Sequence, residues 1–146
     1  DAQIPMLYAL AMAVDAAAAL AVGRLYDKRG MKVLILIPLL SAPIPFMAFT
    51  ENVPVVFSAM VLWGVVMAVH ETIMRAAIAD LTSVKKRGTG YGIFNTSYGV
   101  FLFLGSSIMG ILYEIDPMWI GVFTLVVEGA SLLVFLLLMR GVKKEV

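Results

Sequence analysis

The chain has 146 residues, of which 62% are hydrophobic and only 14% charged, with a formal net charge of +1 and a mean hydropathy of +0.97. Soluble domains average closer to half apolar and a quarter charged, so a water-soluble fold is excluded and a lipid-embedded one is implied. There is no cysteine, which removes disulfides and thiolate metal sites.

Five apolar segments are long enough to span a bilayer, taking about 20 residues each as the requirement. They are expected near 4–26, 33–50, 54–79, 89–113 and 118–140, forming one all-α transmembrane bundle over 1–146. Pro5 suits the opening turn of the first segment, and Pro54 and Pro117 mark the starts of the third and fifth. The second is the shortest and carries Pro38, Pro43 and Pro45, which predict a kinked or irregular outer end. Asp1 is not a start methionine, and no basic region precedes the first apolar stretch, so that stretch does not read as a signal peptide. Further sequence upstream is expected.

Charge falls in alternate breaks. Arg24, Lys28, Arg29 and Lys32 flank the first, Lys85, Lys86 and Arg87 the third, and Arg140, Lys143 and Lys144 end the chain. The other breaks hold Glu51 and Asn52, then Glu114 and Asp116, without Lys or Arg. By the positive-inside rule the N-terminus is expected outside and the C-terminus in the cytoplasm, in a multi-pass protein of the inner (plasma) membrane. The basic clusters are small and adjoin membrane segments, so lipid is the expected partner and nucleic acid is not.

Ionisable side chains within the spans are costly, about 2.5–3.5 kcal/mol each on insertion scales, and are therefore candidates for function. Asp15 lies mid-way along the first segment among alanines. It reads either as a proton- or cation-binding group or as a neutral, hydrogen-bonded carboxyl. Glu71 and Arg75 are four apart and can pair on one helix face, which Gly64 and Ala68 continue. They read as a pair that opens with substrate or protons, or as a structural ion pair near the interface. His70 lies about 100° from Glu71 around the helix and reads as a packing histidine or a proton relay. Tyr91, Asn95 and Tyr98 share one side of the fourth segment and suit either a ligand or a neighbouring helix. Glu128 shares a stripe with Gly121, Thr124 and Ser131 that should face protein, and reads as a helix–helix hydrogen-bonding group or as a transport group. Gly92, Thr96, Gly99, Ser106 and Gly110 suit close helix packing. Gly88, Gly90 and Gly92 do not form a phosphate loop, since no strand precedes them and no Lys-Ser/Thr follows. No nucleophile–base pair, metal cluster or carboxylate dyad is evident, so neither an enzyme nor a cofactor is expected.

The run Gly23-Arg-Leu-Tyr-Asp27-Lys-Arg29-Gly30-Met-Lys32 resembles the signature loop of the major facilitator superfamily, Gly-x-Leu-Ala-Asp-Arg-x-Gly-Arg-Lys. Gly23, Leu25, Asp27, Gly30 and Lys32 match in register, while Tyr26 replaces Ala and Met31 an Arg. Ala79-Asp80 through Arg87-Gly88, followed by Gly99, Gly105 and Gly110, looks like the family's next cytoplasmic loop and eleventh helix. The two loops also resemble one another, as duplicated helix groups do in transporters. The family has twelve helices in two halves, so the resemblance implies that these are the eighth to twelfth and that the N-terminal half is a missing partner. It further implies alternating access around a cavity lined by the eighth, tenth and eleventh helices. That favours Asp15, Glu71, Arg75, Asn95 and Tyr98 over Glu128. Asp27 is implied to lock a cytoplasmic gate, beside Arg29 and Lys32. The expected function is secondary active transport of a small-molecule solute, with proton coupling through Asp15 or Glu71 and export favoured on the family's habits. A receptor, scaffold or assembly subunit on the same bundle is the alternative.

Overall fold

The computed structural model describes residues 3–142, and the side chains of 4–139. The basic cluster expected at the chain's end (Arg140, Lys143 and Lys144) lies outside the described side chains, as does Asp1. Among the described residues the chain is helical throughout, with no strand.

Helix α1 spans Gln3–Arg29. Pro5 lies in its first turn, where a missing N–H costs nothing. Lys28 and Arg29 fill the last turn, where positive charge complements the helix dipole. Gly30 then adopts φ +57°, the only positive φ among the described residues. This left-handed position ends the helix and is accessible to glycine without a Cβ penalty. A tight 3-10 stretch, Gly30–Ile35, leads into two short helices, α2 (Leu36–Ser41) and α3 (Ile44–Ala48).

The segment expected near 33–50 is thus not one helix. Pro43 and Pro45 cannot donate backbone hydrogen bonds, and the helix breaks between Ser41 and Ile44. After that come α4 (Val53–Leu81), a 3-10 turn at Val84–Lys86, α5 (Arg87–Ile115) and α6 (Met118–Val142). Asp116 caps the start of α6: its Oδ1 accepts the Met118 N–H at 2.8 Å, just ahead of the turn that Pro117 begins.

Four stretches are long and apolar enough to cross a membrane: Ile4–Ala48, Val53–Leu81, Val84–Ile115 and Met118–Met139. The first holds 45 residues. Drawn straight it would be about 67 Å long, more than twice a hydrocarbon core of about 30 Å. It instead reverses at Gly30. The returning half runs antiparallel to α6: Lys32 and Leu36 share a groove with Leu136 and Met139, Ser41 bonds Glu128, and Phe46 lies against Gly121.

Helices α1 and α4 form the most extensive pair and run parallel, with Tyr8 beside Trp63, Val14 beside Gly64, and Tyr26 beside Asp80. Gly64 makes this approach possible, because a Cβ there would collide with the Ala11 carbonyl and with Val14. Val22, Tyr26, Val33, Ala68, Val69 and Ile73 make up a core where α1, α4 and the 3-10 stretch meet.

Helix α5 packs differently from the expectation of tight small-residue contact. Gly92, Gly99 and Gly110 have open space where a Cβ would stand, and α5 has no buried residue. It meets α4 through its first turns, at Gly90, Tyr91 and Tyr98, and shares its later face with α6. Phe101 and Phe103 are over two-thirds exposed, as suits a surface covered by something apolar.

Candidate functional site

Helices α4 and α5 form an antiparallel hairpin around the turn at Val84–Lys86. A cleft of about 210 Å³ opens between them, lined by Met67, His70, Glu71, Met74 and Arg75 from α4 and by Tyr91, Phe94, Asn95 and Tyr98 from α5. Five of the six candidates read from the sequence therefore meet in one place.

The periodicities explain this. On α4 positions 67, 70, 71, 74 and 75 follow the 3–4 spacing of one helix face. Residues 91, 94, 95 and 98 repeat that spacing on α5. His70 and Glu71 differ by about 100° in direction, yet both reach the cleft, since it is bounded by a face and not by a line.

The geometry is specific. Arg75 Nη2 lies 3.9 Å from Glu71 Oε2, with the two side chains 73% and 48% exposed. This is a long, open pair on one helix, a type that adds little stability and separates readily. The Tyr91 hydroxyl donates to the Arg75 carbonyl at 3.0 Å, tying α5 to α4. The His70 ring sits 5.1 Å from that of Tyr98, which in turn stacks on Phe94 at 6.1 Å. The cleft thus offers an acid, a base, a histidine, an amide and an aromatic wall within an apolar bundle. Such a set can hold a polar aromatic or cationic solute and exchange a proton with it.

Asp15, the sixth candidate, does not line the cleft. It is partly buried on α1, close enough to Glu71 for the two charges to interact. Met67 and Met74, which look like apolar filler in the sequence, form part of the cleft wall, where a flexible thioether adapts to varied shapes.

At the basic end of the bundle, Gly23 faces Thr72 of α4, which a Cβ at 23 would touch at ordinary van der Waals distance, and Asp27, Arg29 and Lys32 are exposed. A contact that the sequence does not announce lies here. The buried Tyr26 hydroxyl donates to Asp80 Oδ2 at 2.8 Å, joining the ends of α1 and α4. Tyr26→Phe is expected to lower stability by about 1 kcal/mol, the usual net value of one hydrogen bond. A thermal unfolding midpoint equal to that of the wild type would contradict it.

Glu128 stands apart from the cleft. The Ser41 hydroxyl lies 2.5 Å from Glu128 Oε1 and 2.7 Å from the Ile37 carbonyl, so its one proton can be donated to either acceptor. This is the helix–helix role the stripe of Glu128 suggests, joining α6 to the broken segment. No group of three or more metal-ligating side chains occurs among the described residues.

The bundle is that of a multi-pass membrane protein, with a polar cleft between α4 and α5. Residues 1–146 match the Major Facilitator Superfamily along their whole length, and the chain belongs to that family. It is 36% identical over 137 residues to uncharacterized proteins of Mycobacterium bovis and Mycobacterium tuberculosis, a match covering 94% of this chain and 33% of theirs. It is 28% identical over 125 residues to the class H tetracycline resistance protein of Pasteurella multocida, covering 84% of this chain and 31% of that one. An uncharacterized MFS-type transporter of Bacillus subtilis is 29% identical over 121 residues, 82% of this chain and 29% of its own length. The chain therefore spans about a third of the relatives it matches. No solved structure matches it.

Proposed function

We propose that these helices are the eighth to twelfth of a secondary active transporter that moves a small, drug-like solute by alternating access. Coupling is to protons through Glu71, with Asp15 as its acidic neighbour, and the direction is export. The observation that carries this reading is the convergence of His70, Glu71, Arg75, Asn95 and Tyr98 on one cleft of an otherwise apolar bundle. The relative named for tetracycline resistance supports a drug-like substrate and efflux.

The coupling works through competition. Ionised Glu71 holds Arg75; a proton on Glu71 releases it. Solute and proton then bind the same face in alternation, and neither needs to be carried by a cofactor. Asp27 at the cytoplasmic end meets the N-terminal half of the transporter and holds the inner gate shut, with Arg29 and Lys32 beside it. An acid placed at a helix N-terminus across such an interface favours contact, and its removal favours opening.

Labelling tests the alternating part. The present chain contributes no cysteine, so Asn95→Cys in a cysteine-free full-length protein reports on the cleft alone. A membrane-impermeant maleimide is expected to reach it from each side in turn as solute and pH are varied, and Asp27→Asn is expected to raise access from the cytoplasm. Access from one side only under every condition, the same in both proteins, would instead describe a receptor or scaffold.

A further inference from the structure

A further cavity lies apart from the polar cleft. It has a volume of about 460 Å³ and lies between the end of α1, the turn that follows it and the last turns of α6. Its volume falls within the range of about 300–1,000 Å³ common for ligand sites.

Its lining divides sharply by polarity. Leu25, Val33, Leu36, Phe135, Leu136 and Met139 supply apolar walls. The charged residues lining it are Arg29 and Lys32, both cations and both exposed. No acid lines it; the nearest along the chain, Asp27, is exposed on α1. On α6 the neighbouring Leu133, Leu137 and Leu138 are more than half exposed, so the groove is continuous with an outward apolar face.

A solute from water would find little here to bind except two cations at one end. A phospholipid fits both parts, since its phosphate and its acyl chains are divided in the same way. Basic pockets between helices on the cytoplasmic side are where anionic headgroups are held.

We propose that this groove binds one anionic phospholipid, with its phosphate against Arg29 and Lys32 and an acyl chain along Leu36, Phe135 and Leu136. The site is separate from the cleft between α4 and α5. A bound lipid there bridges the signature turn to α6, so its presence stiffens the turn that follows Asp27.

Native mass spectrometry of the delipidated full-length protein, given equal phosphatidylglycerol and phosphatidylcholine, tests this. One phosphatidylglycerol is expected to be retained over phosphatidylcholine by about fivefold or more, as suits attraction by two cations. R29Q/K32Q, which changes exposed side chains only, is expected to bring the ratio to about one. Leu36→Trp, which keeps the charges but fills the groove, is expected to reduce phosphatidylglycerol retention as well. Equal retention of the two lipids by the wild type, or an unchanged preference in R29Q/K32Q, would overturn the proposal. So would displacement by inorganic phosphate together with normal binding in Leu36→Trp, which would describe a phosphate site without a lipid seat.

Discussion

Replacing Glu71 by glutamine is expected to lower proton-driven solute transport by about tenfold or more, equivalent to about 1.4 kcal/mol or more. Downhill exchange of solute should persist in the same variant. An acid and a base inside a membrane segment are expensive, and this pair does not repay them in stability, being long and open. Glutamine keeps the shape and hydrogen-bonding capacity of a protonated glutamate but cannot give up its proton. It therefore leaves Arg75 permanently released, which separates coupling from binding. Full-rate uphill transport by Glu71→Gln would move the coupling role to Asp15. Asp15→Asn then decides: transport with unchanged pH dependence would remove Asp15 too.

The second large effect lies in the packing of α1 on α4. Gly64→Leu is expected to cost about 1–3 kcal/mol or more and to collapse the yield of monodisperse protein, because it overpacks a closed interface. The obstacle is partly backbone. A Cβ at 64 meets the Ala11 carbonyl as well as the Val14 side chain. Trimming Val14→Ala should therefore rescue Gly64→Ala only in part, and Ala11→Gly should not rescue it at all. Wild-type thermal stability in Gly64→Leu would show that the two helices do not approach so closely. Ala68, Val69 and Ile73 are fully buried further along α4, so separation at Gly64 would be felt along the helix.

Much of this arrangement is legible in the sequence, because the features concerned are local. Gly30 behind two basic residues marks the end of α1. Pro43 and Pro45 mark the break in the returning segment, though not that it resumes as two short helices. The spacing of Tyr91, Asn95 and Tyr98 places them on one face, and the spacing of Glu71 and Arg75 makes them a pair. What spacing alone does not supply is which face meets which helix. The Tyr26–Asp80 hydrogen bond needs α1 and α4 to run parallel in a particular register, and its partners lie 54 residues apart. The Ser41–Glu128 bond likewise depends on how α6 lies against the broken segment. The small-residue stripe of α5 is real in sequence, yet its glycines at 92, 99 and 110 have open space where a Cβ would stand, while Ser106 lines a groove shared with α6. A stripe shows where close packing is permitted, not what fills it.

In the proposed cycle a proton gradient drives solute through the cleft that these helices line. The most direct measurement is flux of a candidate drug-like solute, tetracycline among them, in liposomes holding the full-length protein under an imposed pH gradient. Uphill solute movement is expected that stops when the gradient is collapsed, that is inhibited by modifying a cysteine at position 95, and that is lost in Glu71→Gln. Solute movement that ignores the gradient, or that continues unchanged in Glu71→Gln and Asp15→Asn alike, would contradict it.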